Sequence, residues 1–446
     1  MRAPALRPAA ALLAAALLAA ALAGAAPLAL RAQQPAADSL RLGTLHAEAV
    51  RRDPRARQLE LLDAQSALRL RSIGAERLPT LGLDARGQYQ SDVASIPIRL
   101  ADGSSPPGPP HDVYDAHLAA RQRLYDPTRA PRRDLERALL AESRAGVRAS
   151  LFAVRQSVSD AYFTALLLRT QREELEAGIA DLEAQRSLAR ERVRLGSALA
   201  SEAAVLEAEL LRRRQTIGEL AANRDAALVV LGELTGRAVS AADPLALPEL
   251  ADDVARARAA LGELRARPEY EQFARSREVL ERREETVAAA DRPRVSAFGR
   301  AGYGRPGLDP LGREFDEYWL AGVQIEWTPW SWGTTARERE VLALQRRIVA
   351  TEEAAFTERI RRAVASDLAS IDRLERTLAA DDEIIALRER ILQEARLRFG
   401  EGVLTSAEYV DRETDVLGAR LARAAHHVEL AQARARFLTL IGIELD

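Results

Sequence analysis

A chain of 446 residues carries 64 basic and 66 acidic side chains and a formal net charge of −2 at pH 7. That balance speaks against nucleic acid as a partner. No cysteine occurs, which excludes disulfide staples, thiolate metal sites and a lipid-modified N-terminal cysteine.

Residues 1–32 read as an export signal. Arg2 and Arg7 precede an apolar Ala/Leu run from Ala9 to Leu30, and small residues place the cleavage site at about residues 25–32. A membrane-spanning helix is the competing reading, but Pro27 interrupts the run and a Gln/Pro/Ala-rich stretch follows it.

From Ser39 onward the chain is written twice. Pro54, Pro79 and Tyr89 recur as Pro268, Pro293 and Tyr303, each 214 positions later; Arg194, Gly196 and Ser201 match Arg398, Gly400 and Thr405 at an offset of 204. The expected organisation is a first repeat over 39–237, a linker over 238–262 containing Pro244 and Pro248, and a second repeat over 263–446. Each repeat opens on a helical segment.

Two period-2 segments come next in each repeat, at 79–92 and 113–125, then at 293–304 and 317–328. One face carries Leu81, Leu83, Tyr89, Leu118, Trp319, Val323, Ile325 and Trp327; the other carries residues such as Asp84, Arg86, Asp115, His117, Arg121 and Arg300. Two hairpins over a soluble helical core are one solution. Strands of about ten residues ending in aromatics favour a membrane, with the apolar side chains toward lipid. Asp92–Asp112 and Gly304–Asp316 would then be extracellular loops.

The remainder of each repeat is strongly helical. No proline occurs between Pro131 and Pro244, and none after Pro329. Leu151, Val154, Val158, Ala161, Ala165 and Leu168 keep the three-four spacing of a helix–helix seam, resumed by Leu175, Ile179 and Leu182. Sixty helical residues would reach about 90 Å. Glycine breaks each stretch once, near 194–201 and 398–405, where Gly followed by Ser or Thr reads as helix stop, tight turn and N-cap. Each repeat therefore contains a long helical hairpin.

Four strands cannot seal themselves in lipid, because an open edge leaves backbone groups unpaired at several kcal/mol each. Two copies would make eight strands, filled by their own side chains. Three would make twelve, enough for a water-filled lumen, and the charged face favours three. The histidines, His46, His111, His117, His426 and His427, have no spacing that forms a metal site. No nucleophile–base arrangement or phosphate loop stands out, so neither catalysis nor a cofactor is expected.

With the duplication, the Arg77-Leu78-Pro79 entry to the first strand, the two glycine turns, and the endings Leu234-Thr235-Gly236 and Leu440-Ile441-Gly442, the chain resembles the TolC-like outer-membrane efflux protein family from Ser39 to Asp446. The resemblance implies a homotrimer with a shared twelve-stranded transmembrane β-barrel, four strands per chain, continuous with a periplasmic α-helical barrel. It implies an exit duct of a tripartite pump or type I secretion system, working with a periplasmic adaptor and, through it, an inner-membrane transporter. Under it, Glu408 and Asp411 match an acidic ring at the periplasmic gate, an ordinary solvated helix face being the equal alternative. The tip residues Arg194, Gly196, Ser201, Arg398, Gly400, Gly402 and Thr405 become candidates for adaptor docking, and Phe399 for a contact closing the hairpin. A periplasmic adaptor or exported coiled-coil scaffold is the alternative class, although one helical hairpin, not two, is usual there.

Overall fold

A computed structural model describes residues 40–94, 103, 108–259 and 266–445; the expected signal peptide, most of the first strand-to-strand loop and part of the linker lie outside the described residues. Among the described residues the order is α1 (Leu42–Arg52), a 3-10 turn (Pro54–Arg57), α2 (Gln58–Ala75), β1 (Thr80–Tyr89), β2 (Asp112–Tyr125), α3 (Arg129–Arg194) and α4 (Ala200–Thr235). After α5 (Ala251–Ala259) come α6 (Pro268–Ala290), β3 (Arg294–Arg305), β4 (Asp316–Glu326), α7 (Thr334–Gly400) and α8 (Ser406–Leu440).

The helices α3 and α7 have 66 and 67 residues, about 100 Å each. In α3 the single proline, Pro131, sits in the first turn, where its missing N–H costs no hydrogen bond. The end of α3 near the sheet packs between α2 and α6: Arg144 lies 3.5 Å from Asp63, and Ser276 donates to Glu142 at 2.6 Å. Its far end pairs with α4, where Arg186 reaches Glu207 at 3.2 Å, and with α8. Near the sheet the helices therefore lie in the order α2, α3, α6, α7; away from it the order is α4, α3, α8, α7. In both layers α7 is an edge.

The seam residues Leu151, Val154, Val158, Ala161 and Ala165 are buried, and Leu168 half-buried. Val154, Val158, Ala161 and Ala165 belong to a core that includes Tyr162, Phe163, Leu228, Leu231, Phe437 and Leu438; each fully buried Leu or Phe contributes roughly 1.5–3 kcal/mol. The linker is clasped onto it. Leu40 bridges Leu245 in parallel, and the Tyr162 hydroxyl donates to the carbonyls of Leu40 and Ala246. Beside it the His46 imidazole lies within 2.9 Å of Ser159 Oγ, and burial together with the Arg155 charge lowers its pKa to about 4. A second core, at the far end of the hairpins, holds Leu182, Leu206, Leu210, Phe399 and Tyr409.

The four strands form one antiparallel sheet in the order β1-β2-β3-β4, with β1 and β4 as edges. Its register carries one row across all four strands, Leu83–Leu118–Ala301–Trp319, and the next row is Leu81–Ala120–Gly299–Ala321. Because side chains alternate, these rows fall on one face. The row between them, on the opposite face, is Gly82–Ala119–Arg300–Leu320.

The turns require one correction. The left-handed residues are Gly196 (φ +75°) and Gly402 (φ +79°), not Gly196 and Gly400; Gly400 is the last residue of α7. Thr405 caps α8, but Ser201 lies inside α4, whose cap is Leu199 without a side-chain bond. The two tips thus correspond at an offset of 206, which Gly236 and Gly442, also left-handed, keep. A tight helix reversal needs a residue that tolerates positive φ and an extended residue after it. Matching Ser to Thr by chemistry misaligned the pair by two positions.

Candidate functional site: an open sheet and a double tip

Two surfaces stand out. On the sheet, Leu81, Leu83, Tyr89, Leu118, Trp319, Val323 and Ile325, with Trp327 one residue past β4, are between 52% and 81% exposed. A continuous apolar face of this size is far beyond the scattered hydrophobics of an ordinary soluble surface. The opposite face is polar. His117 Nδ1 lies 2.7 Å from Asp115 Oδ2 and its Nε2 lies 3.7 Å from Asp84, while Tyr318 donates to Asp115 and Arg300 stands over the Tyr318 ring at 5.9 Å. Phe298 and Leu320 also lie on this face, which a period-2 reading of the charged positions did not pick out.

At the far end the two turns are tied into one body. Arg192 donates to the carbonyls of Phe399 (2.6 Å) and Gly400, with its guanidinium 5.4 Å from the Phe399 ring centre. Glu202 accepts from the Ser406 N–H at 2.5 Å. Phe399, only 2% exposed, stacks on Tyr409 at 5.1 Å, and the Tyr409 hydroxyl donates to Asp181, which also pairs with Arg396. Burial and the Asp181 charge push the Tyr409 phenol up, so it stays a neutral donor. Deeper in, Arg213 of α4, 1% exposed, bridges Glu209 on its own helix and Glu413 on α8. A cleft of about 580 Å³ opens between the turns, lined by Leu199, Glu202 and 399–406.

The gate candidates are placed apart in role. Glu408 accepts from Thr405 N–H (3.0 Å) and Thr405 Oγ1 (2.8 Å), while Thr405 Oγ1 accepts from Glu408 N–H, a reciprocal capping box. Those hydrogen bonds, backbone first, hold its carboxyl below the usual range. Arg412 approaches Asp415 at 3.7 Å. Asp411 is exposed one turn along α8. Of the docking candidates, Arg194 is exposed and paired with Glu191, and the Arg398 carbonyl accepts from Val403 N–H at 2.9 Å. More prominent are four apolar residues that the sequence reading passed over: Leu195, Leu199, Leu397 and Val403, 65–74% exposed around the tips. Their signal was present as leucine and valine in and beside turns that are ordinarily polar.

Among the described residues no cluster of three His, Asp or Glu is arranged to hold a metal, and no helix is long and apolar enough to cross a membrane. The second statement has no bearing on a β-barrel.

No family model and no characterised protein sequence matches the chain. Solved structures do. CusC aligns at 16% identity and TM-score 0.65 over 90% of this chain and 92% of its own. The outer membrane protein VceC of Vibrio cholerae aligns at 16% and 0.65 over 91% and 97%. The MtrE outer membrane channel of Neisseria gonorrhoeae, in its open state, aligns at 19% and 0.63 over 91% and 90%. The chain therefore has the fold of TolC-like outer-membrane channels, over essentially the whole length of those proteins.

Proposed function

We propose that this chain is one protomer of a trimeric outer-membrane exit duct, serving a tripartite efflux pump or a type I secretion system. The observation that carries the reading is the coincidence of two open edges. β1 and β4 end the sheet, and α2 and α7 end the helical layer beneath it in the same order. Those edge helices expose Leu61 and Leu68 on α2, and Val341, Leu344 and Ile348 on α7, between 49% and 60%. One rotation that seats α7 of one copy against α2 of the next would also pair β4 with β1, closing both layers together. The fold shared with outer-membrane channels supports placing that closed sheet in the outer membrane.

Under this reading the face bearing Trp319 and Val323 meets lipid and the face bearing Arg300 and His117 lines the lumen. The tips reach into the periplasm, where Leu195, Leu199, Leu397 and Val403 would meet an adaptor that connects to an inner-membrane transporter. Asp411 and Glu408 would ring the periplasmic mouth. The two repeats would be descendants of one duplicated unit. The duct itself does no chemistry and carries no cofactor.

Light scattering of the detergent-purified protein tests the assembly. Three copies per particle, with channel conductance after reconstitution, are expected. A monomer, or a protein that stays soluble without detergent, would end the barrel reading.

A further inference from the structure

The polar face of the sheet carries a hollow. In the row Gly82–Ala119–Arg300–Leu320 two small residues lie side by side on β1 and β2, and a cavity of about 550 Å³ opens over them. A Cβ added at Gly82 would meet only Asp84 Oδ2 within 4 Å, at 3.8 Å, so the space above it is open. Leu320 bounds the hollow along its own row, and Phe298 bounds it in the next row, Thr80–Arg121–Phe298–Gly322. Phe298 rests flat against β4, because a Cβ at Gly322 would come within 2.8 Å of its Cζ. Arg121, opposite Phe298, and Arg300 are diagonal neighbours on β2 and β3, and both are exposed. The ion pairs of the strands join His117 to Asp84 and Asp115, Arg305 to Asp112, and Arg123 to Glu76 and Asp126. Among the described residues none involves Arg121 or Arg300, so two free guanidiniums face one apolar hollow, with Asp84 drawn toward His117.

We propose that this hollow is a transit site for amphipathic anions: molecules with a flat apolar ring system and one carboxylate, sulfonate or phosphate group. The inference rests on the exit-duct reading above and names the class of cargo that the lumen wall favours. The ring system covers Gly82 and Ala119 and makes its apolar contacts with Phe298 and Leu320. A hollow of this size, apolar at its floor and charged at its rim, suits a small organic molecule. The acid group takes Arg121 and Arg300, whose planar forks of N–H donors match carboxylate, sulfonate and phosphate oxygens. A cation with the same rings meets two like charges there, and a bare anion forgoes the apolar contact. The site stays open to the lumen, so its occupant is held weakly and leaves again, as conduction requires.

Equilibrium dialysis of naphthalenesulfonate against the full trimer in lipid nanodiscs tests the proposal, with empty nanodiscs giving the background of lipid partitioning. Saturable binding at one site per chain is expected. Arg121→Gln/Arg300→Gln should raise the dissociation constant at least about tenfold, the loss of one charge-assisted hydrogen bond or more. Gly82→Leu fills the hollow at a position without positive φ and should abolish the saturable component. Because β1 is an edge of the sheet, Phe298→Ala supplies a second apolar variant away from that edge, expected to weaken binding at least about threefold. Equal binding of naphthylmethylammonium would reduce the hollow to a greasy patch and overturn the proposal. So would sulfate competing as strongly as naphthalenesulfonate, or unchanged binding in the double arginine variant. Trimeric particles in nanodiscs with no saturable binding would remove the transit site and leave the duct standing. Monomeric particles, or a protein soluble without lipid or detergent, would sink the duct and the transit site with it.

Discussion

At the scale of single residues, Glu408 illustrates how one carboxylate holds two assignments. Its hydrogen bonds with Thr405 occupy it as a helix cap, yet the same bonds favour the charged form and so keep its negative charge at the tip. Capping and ring formation are compatible. Glu408→Gln retains the box, because glutamine reaches back as glutamate does, and Asp411→Asn removes the second charge at constant size. Three copies of this double variant should show a several-fold lower preference for cations over anions in single-channel recordings. An unchanged reversal potential would dismiss the ring and leave Glu408 a cap alone.

At the scale of elements, the strands and the long helices obey different constraints. Alternation along each strand decides which residues share a face, and the register then aligns Leu83, Leu118, Ala301 and Trp319 across the sheet. Val323, opposite Ala297 near the middle of β4 and 64% exposed, is the most direct probe of that face. Val323→Arg should destabilise the inserted channel by roughly 2–4 kcal/mol per chain, seen as loss of the heat-resistant trimer from outer membranes. Assembly at wild-type level would place that face away from lipid. The helices owe their length to an absence, since nothing between Pro131 and Gly196 interrupts α3.

At the scale of the whole molecule, one chain is an unfinished object. Edge strands, edge helices and exposed leucines coincide on both flanks, which is the surface the proposed trimer would cover. Leu344, 49% exposed midway along the apolar stripe of α7, is expected to be covered by α2 of its neighbour. Leu344→Asp would leave an uncompensated carboxylate there at about 3–5 kcal/mol per interface. The trimer should then dissociate at lower temperature or lower protein concentration, as followed by light scattering. A variant with the melting temperature and mass of the wild type would show that α7 is not at the interface.

Much of this was legible without coordinates. Period-2 alternation marked both strand pairs and the apolar face, because the environment of a strand is written into every second side chain. Proline and glycine punctuation marked the long helices and their reversals, because those residues act on the backbone locally. What only the tertiary structure decided was relational. The cap at Leu199 and the offset of 206 depended on backbone angles that many residues can adopt. The staple of Arg192 onto the carbonyls at Phe399 and Gly400, and the bridge from Arg213 to Glu413, join residues about two hundred positions apart. Nothing near either partner in the chain records such a meeting: an arginine on a helix looks the same whether it ends in solvent or against a distant carboxylate, and only packing selects between them.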